Sequence, residues 1–320
     1  MKLFETISVK KELSASIYSL YGLNIYSELP LPVLPVNTKK IDMKVHFDRI
    51  IPRFVNTLPN KINREWKLEN NNWLLRYFGY KDNVLEFRFG LDGKKIHISQ
   101  SYLEWRDSIF ILSGVVLATS LHLQGKSILH ATSLVKNGKS FLLAGFSGAG
   151  KSTLAASLVK EGVSFHSDDM AVFTINKDSI IIQAGYPRLK VTPETAKSLG
   201  WGDESLIPVM ISGPLNNERW IELSTLKNSF YEKSAPLKAI YILSGRDKKI
   251  DIPYIYPISK GHGTLSLVRH IYGQPWLVKP GKRLMDICSQ IIRNIPVYKV
   301  VFPDDLSKLR QAACMFIDSI

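Results

Sequence analysis

The chain has 320 residues, 45% of them hydrophobic and 22% charged, and 42 Lys+Arg against 28 Asp+Glu leave a formal charge of +14. That length and apolar content exclude a disordered or fibrous chain and suit two domains. The positive excess favours an anionic partner such as nucleic acid, a membrane surface or a phosphate-bearing ligand, without choosing among them.

The opening residues, MKLFETISVKKELSAS, lack the apolar run and cleavage site of a secretory signal. Cys288 and Cys314 stand far apart with no CxxC unit, so neither a disulfide framework nor a cysteine zinc site is expected, and a reducing cytoplasm is the expected location. Over 15–100, short strand-like runs such as KVHFDRI, NWLLRYFGY and VLEFRFG are separated by Pro, Asn and Gly, which predicts a small β-rich domain. Residues 29–38 carry three prolines and read as an extended surface connection. Residues 102–125 read as one long helix. Its apolar centre, 109–123, is shorter than the ~20 residues that span a bilayer and contains Ser113, Ser120 and His122, so a buried core helix is expected and no membrane contact. The domain boundary is placed near Gly125, with 1–125 as the N-terminal domain and 126–320 as the catalytic domain.

Beyond Gly125, apolar strands alternate with amphipathic helices, which argues for an α/β domain. Strands are expected at SILHATSLV, KSFLLAG, VSFHS, AVFTI, SIIIQAG, RLKV, RWIEL, LKAIYIL, IYPIS and VYKVVF. Several follow one another without an intervening helix, so the expected sheet is mixed, with antiparallel strands inserted after Asp169. Helices close the chain at about 263–272, 282–294 and 304–320.

Residues 145–152, GFSGAGKS, match the phosphate-binding loop GxxxxGK[ST] at every fixed position, with a strand before and a helix after. Gly145, Ser147, Gly148, Ala149, Gly150, Lys151, Ser152 and Thr153 are the candidate nucleotide-binding residues. The loop would turn its backbone N–H groups and the helix N-terminus toward a triphosphate. Lys151 would reach the β and γ phosphates, and the Ser152 hydroxyl would ligate Mg²⁺. A strand ending in Asp168 and Asp169 follows, as a Walker B element requires. Two adjacent acids allow one to serve the metal and the other to accept a proton. Both also suit the opening of a turn. On spacing alone His130, in an apolar context, reads more readily as a structural histidine than a functional one, and His166, alternating with Phe165, has a weaker functional case still.

The succession His130, GFSGAGKST and SFHSDDMAVF resembles the catalytic domain of HPr kinase/phosphorylase, where a His, a P-loop and an Asp-Asp pair occur in this order at similar spacing. The resemblance implies an α/β P-loop domain with a mixed sheet, akin to ATP-dependent phosphoenolpyruvate carboxykinase, beside the small β-rich N-terminal domain. It implies ATP and Mg²⁺ as cofactors and a serine of a small protein as acceptor. It also implies Asp168 as the general base, Asp169 as the metal-side acid and His130 as the neighbour that tunes them. Where that family continues with Glu-Ile-Arg-Gly, this chain has Gly185-Tyr186-Pro187-Arg188-Leu189-Lys190, and Arg188 would supply charge to the transferred phosphoryl group. YGLNIYSELPLPVLP, GYPRLKV and APLKAIYIL followed by IPVYKVVFP resemble the HPr-kinase-like proteins of bacterial peptide clusters, especially lasso peptide precursor kinases. That resemblance implies a serine, typically the C-terminal one, of a ribosomal precursor peptide as acceptor. The rings formed in the HPr kinase family leave a homo-oligomer open.

Other readings remain. A nucleic-acid-dependent NTPase would suit the charge, but there is no Lys/Arg run with interleaved aromatics, so no nucleic acid is expected. A regulatory module that only holds ATP would more often have lost Lys151, Ser152 or Asp168. A kinase of free serine or another alcohol would differ in its acceptor groove, for which Gly261, His262, Gly263, Arg269 and Trp276 are wall candidates, if they are not simply a solvated face.

Overall fold

The computed structural model describes residues 15–48, 63–78, 84–100, 105–177, 179–202, 206–209, 218–273 and 282–320. Seven strands open it: β1 (Ser16–Leu20), β2 (Leu23–Ser27), β3 (Met43–Asp48), β4 (Asn63–Glu69), β5 (Asn72–Phe78), β6 (Val84–Gly90) and β7 (Lys95–Gln100). They form one sheet in the order β1-β2-β3-β7-β6-β5-β4. Two of its hairpins turn through two residues in left-handed backbone, Tyr21-Gly22 (φ 53° and 73°) and Asn70-Asn71 (φ 49° and 57°). Such turns match the twist of the strands they join and so fix register.

A helical segment covers this sheet. The sequence predicts one uninterrupted helix, but the backbone runs as α1 (Trp105–Ile111), a π-helical turn (Leu112–Val116) and α2 (Leu117–Leu123). Gly114 leaves helical geometry there, at φ −97° and ψ −108°. The Tyr186 hydroxyl donates to the Ser113 carbonyl oxygen beside it at 3.2 Å. Ile109, Leu117 and Leu121 pack with Ile25, Phe87 and Ile96 in one core. Leu29 and Leu31 are buried in the same core, so the proline-rich segment expected on the surface is pinned down by its leucines. Ile128, Met170 and Val172 join it from beyond Gly125. No helix among the described residues is long and apolar enough to cross a membrane.

The rest of the chain contains β8 (Ser127–Leu129), β9 (Ala131–Lys136), β10 (Lys139–Ala144), α3 (Lys151–Lys160), β11 (Ser164–Ser167), β12 (Ala171–Asn176), β13 (Ser179–Ile182) and β14 (Arg188–Val191). It continues with α4 (Pro193–Ser198), β15 (Leu206–Pro208), β16 (Arg219–Glu222), β17 (Ala235–Asp247), β18 (Tyr254–Pro257), α5 (Lys260–Val268), α6 (Lys282–Asn294), β19 (Val297–Pro303) and α7 (Leu309–Asp318). Nine strands build a mixed sheet along β11-β9-β10-β17-β13-β12-β8, with β19 also on β17 and β18 on β19. Antiparallel pairing begins before the glycine-rich loop, at the β9–β10 hairpin with its Asn137-Gly138 turn, and not only after Asp169. β14, β16 and β15 make a separate antiparallel sheet.

Alternation along β10 and β17 sends successive residues to opposite faces. Phe141, Leu143 and Tyr241 pack with α3 and α7 residues such as Leu154 and Phe316. Leu142, Ile240 and Ile242 pack with Leu267, Cys288 and Ile291 of α5 and α6. β10 and β19 both run parallel to β17, so the segments after their C-terminal ends gather at one sheet edge. That edge is where ligands bind in parallel α/β sheets. α4 and β15 are not among the elements that the sequence predicts. The signal for α4 was present: Thr192 caps it, Pro193 stands at its first position and Glu194 in its first turn.

The turn at Gly93 seats α2 on the sheet. Its carbonyl oxygen accepts from the Ser120 hydroxyl and, at 3.1 Å, from the Gln124 amide. A Cβ at Gly93 (φ 67°) would overlap the Ser120 carbonyl oxygen and lie 3.0 Å from Leu123 Cβ. Gly93→Ala should therefore lower stability by about 3 kcal/mol through overlap and backbone strain. Gly138→Ala, with φ 72° but open space around it, should cost only about 1 kcal/mol. Urea melts of both variants check the contrast.

Candidate active site

β10 ends at Ala144, and residues 145–150 turn the chain into α3. Gly148 and Gly150 sit at φ 79° and 94°, backbone that a side chain would strain. Gly150 is also the N-cap of α3, and no side chain caps that end. The first-turn N–H groups thus point at the cavity without a side-chain acceptor, the arrangement that binds phosphate. Lys151 is 6% exposed and folds back over the loop, donating to the carbonyl oxygens of Gly145 (2.9 Å) and Phe146 (3.3 Å). Burial lowers its pKa, Asp169 and Asp168 oppose that, and the charge of Lys190 adds to it.

Asp168 follows the end of β11. Its carboxylate accepts from the Thr132 hydroxyl at 2.7 Å and from the Lys190 backbone N–H at 3.3 Å. The Ser152 hydroxyl lies 3.4 Å from both of its oxygens. Burial, and then the charge of Asp169, push its pKa up to about 6 against the pull of Lys190 and Thr132. Asp169 sits in left-handed backbone at φ 58°. His130 Nε2 lies 3.5 Å from one of its oxygens and Lys190 Nζ 3.3 Å from the other. Burial would raise its pKa, but the bond to His130 and the charge of Lys190 outweigh that and hold it well below the usual range. Lys190 keeps its charge for the same reason: burial would lower its pKa, and Asp169, Asp168 and Glu218 hold it well above normal.

Lys151, Ser152, Asp169, His130 and Lys190 open on one cavity of about 460 Å³, within the size range of small-molecule sites, while Gly145 and Asp168 lie behind its lining. The glycine-rich loop forms its floor, His130, Asp169 and Lys190 line it, and Leu243, Phe302 and Leu309 add an apolar wall. Arg246 and Asp304 pair at 3.3 Å on the same lining. The His130 ring meets Tyr272 edge-on at 5.7 Å, and its backbone N–H donates to the His270 carbonyl at 2.6 Å.

The structure brings Gly148, Ala149, Gly150, Lys151, Ser152, Thr153, Ser147, His130 and Asp169 onto one cavity lining. Three placements bear on the expected roles. Of the expected base Asp168 and metal-side acid Asp169, it is Asp168 that lies beside the Ser152 hydroxyl and Asp169 that reaches the cavity lining. Asp168 is 6% exposed against the Ser152 hydroxyl, whereas the Asp169 side chain keeps 39% of its surface and lines the cavity. Arg188 does not face that cavity. It is 8% exposed, its Nε donates to Glu222 at 2.9 Å, and its guanidinium lies 5.0 Å from the Trp220 ring centre. His166 is structural: fully buried, with Nδ1 3.1 Å from Ser133 Oγ and Nε2 2.9 Å from the Lys233 carbonyl. Gly261 and His262 begin α5 as an exposed turn, and Trp276 lies outside the described residues.

Lys190 and Thr132 were missed. Arg188 and Lys190 are two apart on β14 and share a face, and the sequence reading took the first cation of that pair. A charged residue between two buried ones, Leu189 and Val191, was the available signal. Thr132 sits in an apolar strand, where nothing distinguishes its hydroxyl from a packing residue.

The donor set suits Mg²⁺. Ser152 and Asp168 offer hard oxygens within reach of each other. No group of three or more His, Cys, Asp or Glu among the described residues could hold a metal ion by itself. Mg²⁺ takes one or two protein oxygens and completes its shell with water and substrate phosphates.

No family model matches the chain, and no curated protein does. Among solved structures, the HPr(Ser) kinase/phosphatase from Coxiella burnetii matches over 60% of this chain and 96% of its own, at 15% identity and a TM-score of 0.31. That likeness is too remote to carry residue roles across.

The Arg188 placement gives a clear expectation. Arg188→Met leaves Glu222 unpaired and should cost about 3 kcal/mol of stability while changing Mg·ATP affinity by no more than about threefold. Thermal melting alongside nucleotide titration separates the two effects. Lost affinity at unchanged melting temperature would return Arg188 to the site.

Proposed function

We propose that this chain is a Mg·ATP-dependent phosphotransferase that moves the γ-phosphoryl group to a serine hydroxyl of a ribosomal precursor peptide. The observation that carries the reaction class is the glycine-rich nest opening on the same cavity as an acid pair, with one acid against Ser152 and the other exposed to the lining. The nest and Lys151 would bind the β and γ phosphates. Ser152 and Asp168 would hold Mg²⁺, which when bound supplies charge neutralisation and phosphate alignment.

Asp169 is then the group positioned to take the proton of the acceptor hydroxyl, with His130 holding one of its oxygens. A carboxylate held ionised by cations is a weak base, but a loose phosphoryl-transfer transition state asks little of the base until late. Positioning and charge stabilisation carry most of the rate in such reactions. A peptide acceptor, in place of a free alcohol, is supported by the sequence resemblance of YGLNIYSELPLPVLP and GYPRLKV to lasso peptide precursor kinases.

Incubation with Mg·ATP and a serine-ended precursor peptide, followed by mass spectrometry, should show a phosphate on the peptide. Phosphate on free serine but none on peptide would overturn the acceptor, and none on either would overturn the reaction class. Lys151→Ala should abolish transfer. The two acids should separate: Asp168→Asn should lose Mg²⁺-dependent nucleotide binding. Asp169→Asn should keep Mg·ATP affinity within about threefold yet lose about 10²-fold or more in turnover. The opposite pattern in single-turnover and titration assays would restore the base to Asp168.

A further inference from the structure

Asp169 and Glu218 both line the cavity that the glycine-rich loop opens on, and negative charge spread over the equatorial oxygens of a phosphoryl group there would be repelled by both. The P-loop lysine already spends two donors on Gly145 and Phe146 of its own loop. Arg188, the other cation of this segment, is committed to Glu222 and Trp220. Lys190 is the remaining ammonium on the lining beside Asp169 among the described residues.

We infer that Lys190 is a second catalytic cation, whose ammonium group contacts the oxygens of the transferred phosphoryl group from the side facing Asp169. The inference rests on the kinase reading above and deepens it. Two anchors fix the residue. Its backbone N–H donates to Asp168 at 3.3 Å, so the strand position is tied to the acid pair itself. Its side chain then reaches along the lining until Nζ lies 3.3 Å from Asp169 and 3.7 Å from Glu218, with 24% of its surface exposed. Lys151 and Lys190 both line this one cavity.

An ammonium group has three donors. Asp169 takes one of them at 3.3 Å, Glu218 at 3.7 Å is an ion-pair neighbour without a hydrogen bond, and a donor remains to meet a phosphoryl oxygen without breaking the Asp169 pair. In the transfer step the acceptor oxygen forms the new P–O bond. The bond to the leaving diphosphate breaks with its electron pair on the diphosphate oxygen, and the acceptor proton passes to Asp169. Lys190 gains and loses no proton and contributes charge alone, more strongly at the transition state than in bound ATP.

The test compares wild-type protein with Lys190→Met and Lys190→Arg. Calorimetry reads the affinity for Mg·ATP and for Mg·ADP with aluminium fluoride, a mimic of the phosphoryl group in flight. Lys190→Met should keep Mg·ATP affinity within about threefold and weaken the aluminium fluoride complex by about 100-fold, with part of the loss recovered in Lys190→Arg. Equal weakening of both complexes would mark a purely structural lysine and overturn the inference, as would unchanged binding of the mimic. Should Lys190→Met melt too low to assay, Lys190→Met with Glu218→Gln removes the carboxylate left without a cation, Asp169 keeping His130, and carries the same comparison. Wild-type protein that binds neither nucleotide complex overturns the kinase reading and this inference together, whereas wild-type binding with no discrimination at Lys190 overturns the inference alone.

Discussion

Asp168 is 6% exposed, and donors from three other elements converge on it: the Thr132 hydroxyl from β9, the Ser152 hydroxyl from α3 and the Lys190 backbone N–H from β14. A carboxylate taken out of water is costly unless hydrogen bonds replace its hydration. The fold meets that requirement by bringing a sheet strand, the helix after the glycine-rich loop and the small second sheet to one point. The same convergence sets the spacing between the loop and the acid pair. It also carries Lys190 to the cavity, because the residue that donates its backbone N–H to Asp168 is the one whose side chain reaches Asp169.

The N-terminal sheet is tied into this arrangement through the segment that follows the acid pair. Tyr21, at the tip of the β1–β2 hairpin, donates its backbone N–H to the Ala184 carbonyl at 2.8 Å and meets the Tyr186 ring edge-on at 6.3 Å. Gly185 permits the approach: a Cβ there would lie 2.8 Å from Ser167 Cβ and 3.1 Å from the Tyr21 ring. Gly185 in turn donates its N–H to the His166 carbonyl, just ahead of Asp168. Tyr186 reaches back to Ser113 in the π-helical turn. The hairpin, the interrupted helix and the acid pair are therefore linked through three consecutive residues, Ala184, Gly185 and Tyr186. The core that begins in the N-terminal sheet runs on into Met170 and Val172 for the same reason.

Much of the architecture was legible before any coordinates. Strand runs such as VSFHS, AVFTI and LKAIYIL became β11, β12 and β17, because apolar β-branched residues at strand spacing have few other uses. The glycine-rich loop was legible because left-handed backbone at Gly148 and Gly150 leaves little choice of residue. The acid pair was legible as a pair, but not which of the two is buried against Ser152. Adjacent residues on a strand end face different surroundings, and which one meets Ser152 depends on the left-handed turn at Asp169. Arg188 and Lys190 are equivalent cations in the sequence, and only the positions of Glu222 and Trp220 on the neighbouring strand separate them. The break in the long helix was not legible, since a single glycine in an apolar run is common in helices that stay regular.

By itself the sequence determined a β-rich beginning, a glycine-rich loop between a strand and a helix, an acid pair shortly after it, and a positive charge suited to an anionic ligand. These follow from local rules: side-chain period, turn chemistry and the conformational freedom of glycine. The tertiary structure decided which acid is buried against Ser152, which cation faces the cavity and how the N-terminal hairpin is joined to the segment behind the acids. Each of those depends on partners far apart in the chain, Thr132 with Asp168, Arg188 with Glu222 and Tyr21 with Ala184. Local spacing carries no information about which distant residue will supply the missing hydrogen bond or charge.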